Sequence, residues 1–238
     1  MHILVEYLGW APAGLVGALL IFLRYALFAG LAYGIFYIWK SRSFLNRKIQ
    51  QKLPSWGHIK HEIAHSLVTA GVFALVALGI YGLRLLGWSK VYVSISDYGW
   101  GYLLFSFALL VVLHDTYFYW MHRAMHHPRL FRIFHLVHHR SNNPTPWASL
   151  AFHPLEAIAE IAIIPVLVLL IPFHPVALMA FVTWSLVWNV VGHLGYEVFP
   201  AGWVDHRVLK WLNTSTHHNL HHHYSKGNYG LYFNWWGH

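Results

Sequence analysis

Of the 238 residues, 57% are hydrophobic, 18% aromatic and only 10% charged, whereas a water-soluble domain carries about 25% charged residues. That deficit marks an integral membrane protein, and its net charge of +8 is not a nucleic-acid footprint, because the cations lie in segments flanking the apolar runs. The absence of cysteine excludes disulfides, iron–sulfur clusters, thiolate haem ligation and cysteine nucleophiles.

In chain order, residues 1–10 lack the basic start of a cleavable signal peptide. Apolar runs of spanning length follow at residues 12–39, 63–86 and 101–120, each read as a helix. Two more, 155–172 and 175–192, are parted only by Pro172-Phe173-His174-Pro175 and predict a tight helical hairpin, spanning or re-entrant. The expectation is an all-α membrane fold with four to five transmembrane or re-entrant helices, a single domain over 1–238. Residues 1–100 supply the N-terminal spans and 101–238 the histidine-rich region. Arg24 falls inside the first span, where a cation is costly, and is read as snorkelling or buried between helices.

Lys40, Arg42, Arg47, Lys48, Lys52 and Lys60 follow the first run, Arg123, Arg129, Arg132 and Arg140 the third, and Arg207, Lys210 and Lys226 lie near the end. Opposite-side segments hold only Arg84 and Lys90. The positive-inside rule then places residues 40–62, 121–154 and 193–238 in the cytoplasm as a helical cap, with the N-terminus and 87–100 outside. On that topology Asn213-Thr214-Ser215 faces the cytoplasm and is discounted as a glycosylation site.

The cap segments contain His122-x3-His126, His135-x2-His138-His139 and His218-x2-His221-His222, with His193 between the second and third. Neutral imidazole is the commonest nitrogen ligand and suits iron, zinc and copper. Nine such rings are too many for one ion, so the spacing argues for two. Residues four apart on a helix differ by about 40° in azimuth, so His122 and His126 share a face while His127 turns away. Each H-x2-H-H cluster presents three rings on one face, able to give two to one ion and one to its neighbour. Asp115, seven residues before His122, is placed to accept the spare ring N–H of a ligand. The isolated histidines His2, His58, His61, His65, His174, His206 and His238 are read as hydrogen-bonded groups without a metal role. His114, His153, His217 and His223 stand between the two readings.

The stretches His114-Asp-Thr-Tyr-Phe-Tyr-Trp-Met-His-Arg-Ala-Met-His126, His135-Leu-Val-His-His139, Phe152-His-Pro-Leu-Glu156, Gly192-His-Leu-Gly-Tyr-Glu197, His217-His-Asn-Leu-His-His222 and Asn228-Tyr-Gly-Leu-Tyr232 resemble the fatty acid hydroxylase/sterol desaturase superfamily, integral-membrane di-iron oxygenases. The resemblance implies metal ligands at His122, His126, His135, His138, His139, His193, His218, His221 and His222. His127, His153, His217 and Glu197 are further candidates. It implies two iron ions, zinc or another metal substituting in a purified sample, and O2 as cosubstrate. Family members usually continue past Asn-Tyr-Gly with an aspartate and a Gly-Thr segment; here Gly237 and His238 follow Trp236, so the tail is truncated or different.

The implied chemistry is O2-dependent C–H oxidation, giving an alcohol or an alkene, on a sterol, fatty acyl chain, sphingolipid or carotenoid. Gly-His-x-Gly-x-Glu and Asn-Tyr-Gly lean to the sterol desaturase branch, and hydroxylation is placed slightly ahead of desaturation. With no haem or flavin motif, electrons come from a separate cytochrome b5-like or ferredoxin-like carrier, for which Arg123, Arg129, Arg132 and Arg140 offer a basic face. The plainer reading of those four is topological anchoring. Two rivals stand beside the enzyme: a membrane metal transporter or store, and an inactive homologue acting as a lipid-binding scaffold. Transport would put ionisable ligands mid-span, whereas these clusters fall at span ends and in loops.

Overall fold

The computed structural model describes residues 1–237, whose regular elements are all helical; His238 lies outside the described residues. α1 (His2–Leu8) ends at Gly9, whose φ of 78° turns the chain into α2 (Trp10–Tyr33), prolonged by a π-helical turn, Gly34–Trp39. α3 (Trp56–Leu85) begins at Ser55, whose hydroxyl accepts the His58 N–H, a serine N-cap. α4 (Gly99–Met125) is followed by α5 (Pro128–Phe134) and α6 (Leu136–His139). α7 (Pro154–Ile161), α8 (Ile163–Leu170), α9 (Pro175–Gly192) and α10 (Ser215–Tyr224) complete the set. The described residues form no strand, only the isolated bridges Lys48–Tyr196 and Leu212–Phe233.

Four helices are long and apolar enough to cross a bilayer: Trp10–Trp39, Trp56–Leu85, Gly99–Met125 and Pro175–Gly192. The chain is an integral membrane protein. The fourth apolar run of the sequence, residues 155–172, is instead broken at Ala162 into α7 and α8, eight residues each. Pro165 has no N–H for the Ile161 carbonyl four residues back, so a continuous helix cannot pass. Four single helices thus meet the spanning length, and the broken pair α7–α8, which runs from His135 at one end to Lys90 at the other, is the fifth element of the expected four to five.

On α2 the leucines at 15, 19, 23, 27 and 31 are all more than half exposed, one every helical turn. In a membrane that stripe faces lipid. The opposite face buries Ala13, Gly14, Gly17, Tyr25 and Ala29. A Cβ on Gly14 or Gly17 would press on Leu78 or Met1, with Ala74 also close to Gly17, so small residues allow α2 and α3 to approach closely. Arg24 is held between helices, its Nη1 donating to Met179 Sδ on α9 at 3.4 Å.

One apolar core joins α4, α8, α9 and the last segment through Leu110, Phe118, Leu167, Phe173, Phe181 and Tyr232. A second joins α2, α9 and the segment before α7 through Tyr25, Leu150, Phe152, Leu186 and Val190. That segment contains a 3-10 turn, Pro146–Leu150, buried among the spans. The Trp147 carbonyl accepts from Tyr25 Oη at 2.7 Å and Ser66 Oγ at 3.2 Å, and Thr145 Oγ1 donates to buried Glu62 Oε2 at 2.5 Å. A helix rises 1.5 Å per residue, so the 27 residues of α4 reach about 40 Å, beyond the roughly 30 Å hydrocarbon core. Its final turns therefore emerge at the end where α5, α6, α7 and α10 gather.

Candidate metal centre

The nine predicted ligand histidines come together at that end in two adjacent groups. His122, His126, His135, His139 and His221 form one; His138, His193, His218 and His222 form the other, with one ring nitrogen of each within 4.8 Å of the rest of its group. The H-x2-H-H clusters divide as their geometry permits. α6 and its N-cap send His135 and His139 to the first group and His138 to the second. α10 sends His221 to the first and His218 and His222 to the second. His122 comes from the last turn of α4, His126 from its C-cap and His193 from the C-cap of α9.

Hydrogen bonds behind six of the rings hold their Nδ1 side, whereas Nδ1 of His218 and His222 is buried without a partner. Nδ1–H of His122 donates to the Tyr229 carbonyl at 2.9 Å, of His193 to Asn189 O at 2.8 Å, of His221 to Gly227 O at 2.7 Å, and of His138 to Ala151 O at 3.4 Å. His135 Nδ1 meets Glu156 Oε1 at 2.6 Å, and His139 Nδ1 meets Ser225 Oγ at 3.1 Å. With the proton held on Nδ1, Nε2 presents a bare lone pair. Yet His122 Nε2 lies 2.9 Å from His135 Nε2, and His193 Nε2 lies 3.2 Å from His138 Nε2. Two lone pairs cannot hydrogen-bond to each other; they converge on a position that suits a cation. A metal–nitrogen bond of about 2.1 Å places ligands at right angles about 3 Å apart, the spacing found here. His126–His221, His139–His221, His218–His193 and His222–His193 repeat it at 3.0–3.1 Å. The donor set fits two transition-metal ions, held by imidazole alone.

Burial pushes the imidazoles outside the spans below their ordinary pKa, to about 4 at His126 and His193, about 3 at His221 and about 2 at His139. At His139 the neighbouring imidazoles of His221 and His126 add to the effect. His135, His138, His218 and His222 lie well below, for the same reason. The rings are neutral at physiological pH, the form that binds metal.

Glu156, fully buried on α7, was not singled out as a site residue, though it closes the Phe152-His-Pro-Leu-Glu156 stretch. It accepts the ring N–H of His135, the role expected of Asp115. Asp115 instead accepts the backbone N–H of Tyr232 at 2.8 Å and of Phe233 at 3.4 Å. It pins the C-terminal segment to α4, and its helical alignment with His122 does not bring it to a ligand ring. The further candidates lie outside both groups and shape the chain around them. His127 and His153 cap α5 and α7, accepting from Arg129 and Leu155 N–H. His217 forms a capping box with Thr214 on α10, and Glu197 accepts the N–H of Phe199 and Thr216. A histidine followed by proline at N1 is an N-cap signature, legible at both His127 and His153.

The sequence profile of the Fatty acid hydroxylase family matches residues 107–238, which include all nine histidines. This chain belongs to that family of membrane proteins. Among named relatives it is 34% identical to the Delta(7)-sterol 5(6)-desaturase ERG3B of Gibberella zeae, over 75% of this chain and 55% of the relative. It is 32% identical to the Delta(7)-sterol 5(6)-desaturase erg3C of Aspergillus fumigatus, over 74% and 60%. It is 30% identical to the Lathosterol oxidase of Mus musculus, over 75% and 58%. The matched part of the chain thus spans little more than half the length of these relatives. No solved structure matches.

Proposed function

We propose that the chain carries the catalytic part of an O2-dependent membrane oxidoreductase that desaturates or hydroxylates a lipid, with two iron ions in the two imidazole groups. The observation that carries this reading is the convergence of nine imidazoles, eight buried and His126 half-buried, whose metal-binding nitrogens already face one another. The substrate class proposed is a sterol, since the relatives named above are a sterol 5(6)-desaturase, in two fungi, and a lathosterol oxidase. Those names tilt the outcome towards desaturation, reversing the slight preference given to hydroxylation by sequence.

The bound irons would supply what no side chain can: an oxidant for an unactivated C–H bond, drawn from O2 and two electrons. The protein's residues prepare for it. Backbone carbonyls of Tyr229, Asn189 and Gly227 hold ring protons away from the metal positions. The Glu156 carboxylate makes His135 a stronger donor. Phe118 of α4 packs with Phe181 and Tyr232 and would close the site's membrane side to water. Arg123, Arg129, Arg132 and Arg140 are exposed on the segment bearing the first two histidine motifs and form the proposed docking face for an acidic electron carrier on the cytoplasmic side.

Lipid mass spectrometry of cells with and without the gene tests this reading, combined with metal analysis of the purified chain. Loss of two hydrogens, or gain of one oxygen, in one sterol class supports it. Metal flux across vesicles without O2 consumption would establish the transporter instead.

A further inference from the structure

Tyr229 caps the five-imidazole group, its ring centroid 5.0 Å from His126, 5.5 Å from His221 and 5.7 Å from His122. From it a line of readily oxidised rings leads outward. Tyr119, only 4% exposed, lies 6.2 Å from Tyr229, and Trp236, 40% exposed, lies 6.4 Å from Tyr119. Trp120 is 5.2 Å from Tyr119, but the Arg123 guanidinium stands 5.5 Å over its ring. That cation is stabilised by the electron-rich face and disfavours a second positive charge there. The four-imidazole group meets Phe152 instead, 5.1 Å from His138, and phenylalanine is far harder to oxidise than tyrosine or tryptophan. The two halves of the site therefore differ: one has an oxidisable neighbour connected to the surface.

We propose that Tyr229, Tyr119 and Trp236 form a hole-transfer chain that drains oxidising equivalents from the five-imidazole group to the protein surface. The inference rests on the iron-oxidase reading above. A centre oxidised by O2 with no substrate in reach will otherwise attack its own imidazoles, and one-electron exchange between rings a few ångströms apart outruns that attack. In each passage the centre gains one electron and Tyr229 loses one, with its phenolic proton released to solvent. Tyr119 then reduces Tyr229, Trp236 reduces Tyr119, and a one-electron reductant such as ascorbate reduces Trp236, the proton being taken back from water. No covalent bond between heavy atoms changes. The net transfer is one electron from the reductant to the centre.

The test uses the full chain loaded with iron(II), reduced, exposed to O2 without lipid and freeze-quenched. Electron paramagnetic resonance and peptide mass spectrometry are read together with iron content and O2 uptake. The expected result is a tyrosyl or tryptophanyl radical, with oxygen additions concentrated on Trp236 over Trp120 and suppressed by ascorbate. Tyr119→Phe keeps the ring packing and should lose the additions at Trp236, which move to the ligand histidines, with iron lost over repeated cycles. Two outcomes overturn the chain alone: O2 uptake with iron bound but no radical, or the same modification pattern in Tyr119→Phe as in wild type. A chain that takes up no iron, or consumes no O2, overturns the oxidase reading and this inference with it.

Discussion

Glu156 is the residue on which the site's chemistry can be tested most cleanly. Its Oε1 accepts the His135 ring proton at 2.6 Å inside a fully buried pocket. Replacing a partner of this kind lowers metal affinity by roughly 10–100-fold. Glu156→Gln should therefore lose affinity by about that factor in a chelator competition; unchanged affinity would deny it the role. His153→Ala removes only an N-cap, at a cost of about 1 kcal/mol, and should leave metal content intact. His139→Ala should lose metal and activity together, whereas His58→Ala, on the first turn of α3 and in neither group, should change neither. The gathering of the histidines was legible in the sequence because three motifs repeat helical spacing. The role of Glu156 was not, because it depends on α7 folding back against α6, and no spacing along the chain records that contact. Asp115 was misread for the opposite reason: helical alignment with His122 is real, but the C-terminal segment reaches it first.

Elements determine which of the two groups each ring joins. α9 and α10 meet where Gly192 faces His218; a Cβ added there would stand 3.3 Å from its Cδ2 and 3.4 Å from its Cγ. Gly192→Ala should push that ring aside and lower occupancy of the four-imidazole group, leaving the other loaded. Metal analysis giving one ion per chain would bear this out, and full occupancy of both groups would contradict it. The long spans were plain from apolar runs, yet α4 continues to Met125, past the predicted end at residue 120, and so carries His122 on a helix. The run at 155–172 reads as spanning or re-entrant by composition alone. Pro165 interrupts it, yet the broken pair α7–α8 still leads from Glu156 beside His135 to Val168 and Leu170 beside Lys90, at the opposite end of the spans.

For the whole molecule, a cluster of neutral imidazoles ties stability to pH. The folded chain holds these rings below their ordinary value of about 6.5, so below that pH the unfolded chain binds more protons. Stability present above about pH 6.5 is then lost as pH falls towards the folded values, about 4 at His126 and His193 and lower at His221 and His139. Thermal unfolding of the metal-stripped protein should shift to lower temperature between pH 7 and pH 5, and bound metal should raise the unfolding temperature without flattening that curve, because metal-bound rings take up no protons either. An unfolding temperature of the metal-stripped protein that does not change between pH 7 and pH 5 would count against this. The placement of lysine and arginine predicts a cytoplasmic centre; labelling of single cysteines introduced at Arg132 and Ser96 should mark the former from the cytoplasm and the latter from outside. The central claim is that nine imidazoles hold two ions, and iron-edge X-ray absorption of the loaded chain, calibrated by metal analysis, tests it most directly. The prediction is two irons per chain with a nitrogen shell near about 2.1 Å and the outer scattering of imidazole rings. One iron per chain, or a shell of solvent oxygens without those rings, would contradict it.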